Sequence, residues 1–359
     1  MRAAMKKRVA PSDTKPSGLG APNAYWFNHQ RNSTASAAHL HAVMVHAENL
    51  AGRRCVVLGA GGFVGTNLCQ QLARDDARVT GFGRRSRIKG LAFPGSWVDG
   101  EFDDARTVEH VLKDADIVFH LLGGSNPSAS NNDPVSELQG VIANNLALIA
   151  TAARVGVEKF IFVSSGGTVY GPARNLPIPE TAPTDPISAY GLGKLATEKV
   201  LRLYHLIEGM EYSVLRVANP YGPCQLPDQK QGIVATVLKR ALDGRPVQIW
   251  GDGSAVRDYL HISDVCNAMI RAAVVNNDQR IFNVGSGIGR SLKDIVASVS
   301  HVLGTEIAVE HLPGRPADIP ANVLDCTLAE QILGWTPRIH WEDGLKTTSE
   351  WLAKLPATA

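Results

Sequence analysis

The chain has 359 residues, 44% of them hydrophobic and 19% charged, with a formal net charge of +2 at pH 7. That length and apolar content suit one large or two coupled α/β domains, and so balanced a charge offers no basic surface for nucleic acid. The longest apolar runs, such as Asp116-Ile-Val-Phe-His-Leu-Leu122, fall far short of the ~20 residues of a membrane span, so no membrane partner is expected.

Five cysteines, Cys55, Cys69, Cys224, Cys266 and Cys326, form no C-x-x-C pair and read as reduced core residues of a cytoplasmic protein. Residues 1–50 are rich in Pro, Ser, Asn and Ala, lack periodicity, and contain only Asp13 as an acid before Glu48; a disordered N-terminal extension is expected. Arg2, Lys6, Lys7 and Arg8 leave an organellar transit peptide open, but no apolar segment follows them as a secretory signal requires.

Residues 55–58 read as a buried strand, and Gly59, Gly62 and Gly65 then open a helix through Leu68 and Leu72. Gly59 permits a sharp turn, Gly62 lets backbone N–H groups approach a pyrophosphate, and Gly65 lets the helix pack on the strand. The spacing is G-x-x-G-x-x-G rather than G-x-G-x-x-G, so by itself the turn does not separate a dinucleotide site from a plain turn.

Strands at 77–82, 96–99 and 115–122 alternate with helical segments, and a helix at 141–155 leads to a strand at 157–163. This alternation predicts a doubly wound parallel sheet. The fifth strand runs into Ser164-Ser-Gly-Gly-Thr-Val-Tyr-Gly171, and strand ends are where such sheets bind ligands. A Pro-rich loop at 172–186, a helix at 188–208 and a strand at 211–217 follow. Beyond them come a helix at 233–242, strands at 247–250 and 280–284, a helix ending near 275, a helix at 291–303, a loop at 311–318 and two short helices. The expected division is a dinucleotide-binding domain at 51–217 and a smaller, mixed α/β, mainly substrate-binding domain at 218–359, from which segments near 255–285 return to the first.

Tyr190 and Lys194 stand four residues apart at the start of a helix, so both project from one face about one turn apart. A phenol titrates near pH 10, and a neighbouring ammonium and the helix N-terminus both favour phenolate, which makes Tyr190 a candidate general base. His120, inside an apolar strand, reads as a satisfied core histidine, and no cluster has metal-ligand spacing.

The segments GAGGFVG, SSGGTVYG, YGLGK, RVANPYGP, RDYLHISDV and RPAD, in this order, resemble the extended short-chain dehydrogenase/reductase family of nucleotide-sugar epimerases and dehydratases, above all its UDP-glucose 4-epimerase branch. The resemblance implies a Rossmann-type sheet, a homodimer, and a nicotinamide cofactor that removes hydride from sugar carbon 4 and returns it to the other face. It makes Tyr190 the base and gives Lys194 two tasks, holding the nicotinamide ribose and lowering the Tyr190 pKa. The family places a Ser or Thr where this chain has Gly166, so Ser165, the favoured candidate, or Thr168 must supply the hydroxyl. The dehydratase and decarboxylase branches need carboxylates where this chain has Gly167 and Thr168, which disfavours both.

On the cofactor side the resemblance implies contacts from Gly59, Gly62, Phe63, Val64, Gly65, Leu121, Glu101 and Phe102. The strand-two acid that binds the ribose diol is replaced by Arg84 and Arg85, which would suit the 2′-phosphate of NADP; the need for oxidised cofactor favours NAD. On the substrate side it implies Arg257, Arg315 and Asn219 at the diphosphate, with Ile249 and Trp250 at the base. Two other readings stand beside the epimerase: an NADP-dependent reductase of a nucleotide-4-keto-sugar, and a non-catalytic nicotinamide-binding sensor or scaffold.

Overall fold

In the computed structural model residues 50–84, 92–123, 130–227, 232–313 and 319–355 are described, and Glu48–Ala359 forms one compact unit. The expected extension, up to residue 49, lies outside the described residues, as do Arg85 and Arg315. Leu50 already belongs to the core, at 2% exposure.

The chain runs β1 (Arg54–Leu58), α1 (Phe63–Arg74), β2 (Arg78–Phe82), β3 (Ser96–Val98), α2 (Ala105–Leu112), β4 (Ile117–His120), α3 (Pro134–Arg154), β5 (Lys159–Ser165), α4 (Ala189–Glu208) and β6 (Glu211–Val217). It continues through β7 (Asn219–Tyr221), α5 (Ile233–Leu242), β8 (Val247–Trp250), β9 (Val256–His261), α6 (Ile262–Val274), β10 (Ile281–Val284), β11 (Gly289–Ser291), α7 (Leu292–Leu303), β12 (Val309–Leu312), β13 (Ala321–Asn322), α8 (Thr327–Leu333) and α9 (Trp341–Leu352).

Seven strands form one parallel sheet in the order β10-β6-β5-β4-β1-β2-β3. The alternation of β1 shows why both faces are covered. Cys55 and Val57 pack with Leu68 and Leu72 of α1 and Val265 of α6, whereas Val56 and Leu58 pack with Val108 of α2, Leu148 of α3 and Leu201 of α4. The sheet is therefore doubly wound and Rossmann-type, and its strand order reverses between β1 and β4, where such sheets bind dinucleotides. A second layer sets β11-β9-β13 and β7 beside a two-stranded β12-β8 sheet, over a core from α5, α7 and α9.

Three boundaries differ from the sequence reading. Helix α3 begins at Pro134, not 141, because the Asp133 side chain accepts from Ser136 N–H and Pro134 fits the first turn. Strand β5 continues past 163 to Ser165, which pairs with Val217. Five strands, β7, β9, β11, β12 and β13, stand where none was expected, and β12 takes His311 and Leu312 out of the anticipated loop.

Candidate functional site

The turn after β1 adopts the form its glycines allow. Gly59 has φ +86°, and a Cβ on Gly65 would stand 2.3 Å from Gly59 O and 2.7 Å from Ala60 Cα, so α1 can approach the turn only with glycine there. Gly62 caps α1 without a side-chain hydrogen bond, and the first turn carries no acid. The leading N–H groups of α1 thus meet no competing side-chain oxygen and no repelling carboxylate, which fits a pyrophosphate. Phe63 and Val64 lean on the core, and Leu121, after β4, donates its N–H to Leu58 O at 3.0 Å.

Beyond β2, Arg84 is exposed next to Gly83, and Glu101 is exposed. Phe102 is partly buried and packs 5.6 Å from the His120 ring, so it serves the core as well as any adenine contact. His120 is fully buried, its Nε2 2.6 Å from Asn145 Oδ1, and burial pulls its pKa down to about 3. It is a neutral core imidazole at physiological pH.

Helix α4 brings Tyr190 and Lys194 to the end of β5. Ser188 caps it through Gly191 N–H at 3.1 Å, while Ser130 Oγ and Asn131 Oδ1 accept from Tyr190 and Ala189 N–H at 3.1 and 2.9 Å. Lys194 Nζ lies 5.8 Å from the Tyr190 ring centroid and 4.8 Å from that of Phe162, and donates to Val163 O at 2.9 Å. A Cβ on Gly123 would come within 2.7 Å of Nζ, so Lys194 owes its position partly to a glycine after β4.

Burial pulls Lys194 down to about 8 despite the Glu198 carboxylate, and pushes the Tyr190 phenol up to about 12, helped by Glu137. Within this chain the Tyr190 phenol therefore lies above its ordinary value, burial being the largest cause. Desolvation outweighs an ammonium that stands off the ring and is already bonded to Val163 O.

Gly166 has a clear cause. A Cβ there would stand 2.5 Å from Leu324 Cδ1 and 3.0 Å from Arg216 O, so a side chain fits at the position where the family carries its hydroxyl only if Leu324 shifts. Ser165 is part-exposed at the strand end, and Thr168 Oγ1 is buried without a hydrogen-bond partner. Of the two, Ser165 has surface open to a ligand.

Beneath these groups runs a polar row that the sequence reading missed. Ser164, Arg216 and Asn283 stand side by side on β5, β6 and β10. Ser164 Oγ donates to Glu198 Oε1 at 2.6 Å, and Arg216 grips the same carboxylate through Nε at 3.1 Å and Nη2 at 2.7 Å. Arg216 Nη1 donates to the Tyr170 hydroxyl at 3.0 Å, which donates to Asn283 Oδ1 at 2.7 Å. The available signal was Glu198 eight residues past Tyr190 and four past Lys194, the spacing of one helix face.

The anticipated substrate groups separate. Arg257 is part-buried on β9, and its Nη1 bonds Val256 O at 2.8 Å. The Asn219 amide donates one N–H to Asp258 O at 2.9 Å, which serves β7–β9 packing and leaves its second N–H and its oxygen for a ligand. Ile249 is a correction: at 1% exposure it fills the third core and has no surface to offer a base, whereas Trp250, next on the strand, is 48% exposed. Asp258 is fully buried and ties β9 to Ser286, Gly287 and Leu324 N–H groups at 2.8, 3.1 and 3.3 Å, while burial raises its pKa. Among the described residues no group of His, Cys, Asp and Glu could hold a metal ion.

Residues 55–285 match the model of the NAD dependent epimerase/dehydratase family. The UDP-glucose 4-epimerase of Mycolicibacterium smegmatis is 32% identical over 305 residues, covering 83% of this chain and 97% of that protein. The crystal structure of UDP-glucose 4-epimerase with UDP-glucose from Thermotoga maritima aligns with a TM-score of 0.80 at 32% identity, covering 84% of this chain and 99% of that one. The UDP-glucose 4-epimerase complex with NAD from Thermus thermophilus gives 0.78 at 28% identity, with the same coverage of 84% and 99%.

Proposed function

The chain belongs to the NAD dependent epimerase/dehydratase family, and from that membership we propose that it interconverts the 4-epimers of a UDP-hexose, with Tyr190 moving the proton of the sugar 4-hydroxyl. The observation that carries this reading is the meeting of Tyr190 and Lys194 at the end of β5, beside a glycine turn whose helix start is free of acids and side-chain caps. Gly59–Gly65 and Lys194 would hold NAD, Lys194 at its ribose, and the bound cofactor would supply a reversible hydride acceptor for sugar carbon 4.

The chain's own residues handle the proton. A phenol raised to about 12 is protonated at neutral pH and a weak acid, so Tyr190 must be drawn toward phenolate while substrate is bound and must then return the proton as the 4-hydroxyl re-forms. Lys194 and the start of α4 are the positive groups within this chain that favour that ionisation. Ser165 or Thr168 orients the hydroxyl, Gly166 having room for a side chain only if Leu324 shifts. No carboxylate stands in the segment 164–169 to promote elimination.

Arg257 and Arg315 grip the diphosphate and Trp250 lies against the base, while the buried, unpaired Cys55 and Cys69 suit a cytoplasmic setting. A homodimer completes the reading. Leu192, Leu203, Leu206 and Ile207 on α4 and Leu146 on α3 are 41–70% exposed, an apolar surface that suits a second copy. Light scattering should give twice the chain mass, and Leu206→Glu should halve it. The exposed Arg84 favours one rival, the NADP-dependent 4-keto-sugar reductase.

NMR of UDP-glucose, UDP-galactose and their N-acetyl forms with enzyme and NAD tests the proposal. Tyr190→Phe should lower turnover by ~10²–10⁴ with cofactor retained. Stoichiometric NADPH loss with a 4-keto-sugar, and no epimerisation, would establish the reductase instead.

A further inference from the structure

Arg257 has a neighbour that neither composition nor motif singled out. Strand β11 runs antiparallel to β9 with Arg290 directly opposite Arg257, which places their Cβ atoms about 4.5–5.5 Å apart on one face. The face is marked by Trp341. Arg290 Cζ lies 4.4 Å from the Trp341 ring centroid, and Tyr259, two residues beyond Arg257 and so on its side of β9, lies 6.1 Å from it.

Like charges directly opposite one another destabilise a sheet, and here both are part-buried. Among the described residues neither arginine forms an ion pair. Asp258, Asp294 and Glu342 are the acids close enough to affect Arg290, yet Asp258 is held by Ser286, Gly287 and Leu324, and Asp294 by Ser291. Burial lowers the Arg290 pKa, the direction expected of a cation short of partners. Arg257 also pairs in register with Asn322, whose amide donates to Gly166 O at 3.1 Å, so Arg257 stands one strand, and Arg290 two strands, away from the Ser165 end of β5.

We propose that Arg290 and Arg257 form a cross-strand pair that takes the diphosphate of the nucleotide-sugar between two guanidinium forks, with Trp341 holding Arg290 in place. The inference rests on the nucleotide-sugar reading and adds to it a specificity-determining residue. A dianionic linker would relieve the repulsion between the forks and accept bidentate hydrogen bonds from each. Binding energy then concentrates on the diphosphate rather than on the nucleoside.

The test is calorimetric titration of the NAD-loaded full-length chain with UDP, UMP and uridine, for the natural protein and for Arg290→Gln, Arg290→Lys and Arg257→Gln. Arg290→Gln should weaken UDP tenfold or more and leave uridine within twofold, with UMP between, and should raise the KM for UDP-hexose more than it lowers kcat. Equal weakening of UDP and uridine would reduce Arg290 to a prop for Trp341 and overturn the pair, as would no weakening of either. Should Arg290→Gln not fold, Arg290→Lys gives the same comparison, since a point charge cannot replace the fork. If Arg257→Gln loses UDP and Arg290→Gln does not, the pair fails and the epimerase reading stands; if the natural protein binds no UDP, that reading itself fails.

Discussion

Lys194 must carry charge where its surroundings resist it. The side chain is 7% exposed, rests on Phe162, and titrates near 8 instead of 10.5. Below pH about 8 the folded chain holds a disfavoured ammonium, whereas between about 8 and 10.5 the folded lysine is neutral and the unfolded one still charged. The unfolded state then binds more protons, so the lysine's unfavourable contribution shrinks as pH rises through that window. Lys194→Met should therefore be inactive yet more stable at pH 7, by on the order of 1–3 kcal/mol, with the gap closing toward pH 10. Urea unfolding at pH 7, 8.5 and 10 measures it, and a gap that stays constant with pH would show that the charge is not the cause. Gly166 gives the opposite case. Gly166→Ser restores the family hydroxyl but drives its Cβ to 2.5 Å from Leu324 Cδ1, which should cost about 1–3 kcal/mol; adding Leu324→Ala should recover part of it in thermal melts.

At the scale of elements, α4 and β5 are joined by the Glu198 carboxylate. Its side chain and that of Arg216 are 1% and 3% exposed, so removing one partner leaves an uncompensated buried charge. Glu198→Gln is expected to lose about 3–5 kcal/mol, while Ser164→Ala, which removes one hydrogen bond to a charged group, should lose about 1.5–3. Chemical denaturation of the two variants checks the order, and a larger loss from Ser164→Ala would contradict it. This link also marks the limit of what the chain discloses before it folds. The strands β1, β2, β4 and β6 and the helices α4 and α5 were legible, β1 and β4 as short, mainly apolar runs and α4 by its Ser188 cap, whereas α5, with no side-chain cap, shows only in its apolar spacing. Strands such as β13, a pair of residues, exist only because distant β9 pairs with them, and no local pattern announces that. Tyr190 and Lys194 were legible as a spacing on one helix. The Glu198–Arg216 contact joins a helix to a strand, and the Ile249–Trp250 assignment needed to know which face of β8 meets the core.

For the whole molecule, the sequence of residues 1–49 shows no helical or strand periodicity, so a chain starting at residue 46 is expected to match the full chain in melting temperature and turnover. A fall of several degrees would show that the extension docks. The rest does not divide so simply. The seventh strand of the sheet, β10, is made of residues that follow α5, β8, β9 and α6, and its pairing with β6 is reinforced by Glu180, which accepts from Asn283 N–H at 2.7 Å. During synthesis, therefore, a nascent chain that ends at Val217 presents β6 as a bare hydrogen-bonding edge, with Arg216 lacking its neighbour Asn283. The ribosome must deliver the chain as far as Val284 before that edge is covered. This places the period of greatest aggregation risk between those two residues of elongation, and makes it sensitive to how fast the intervening codons are read.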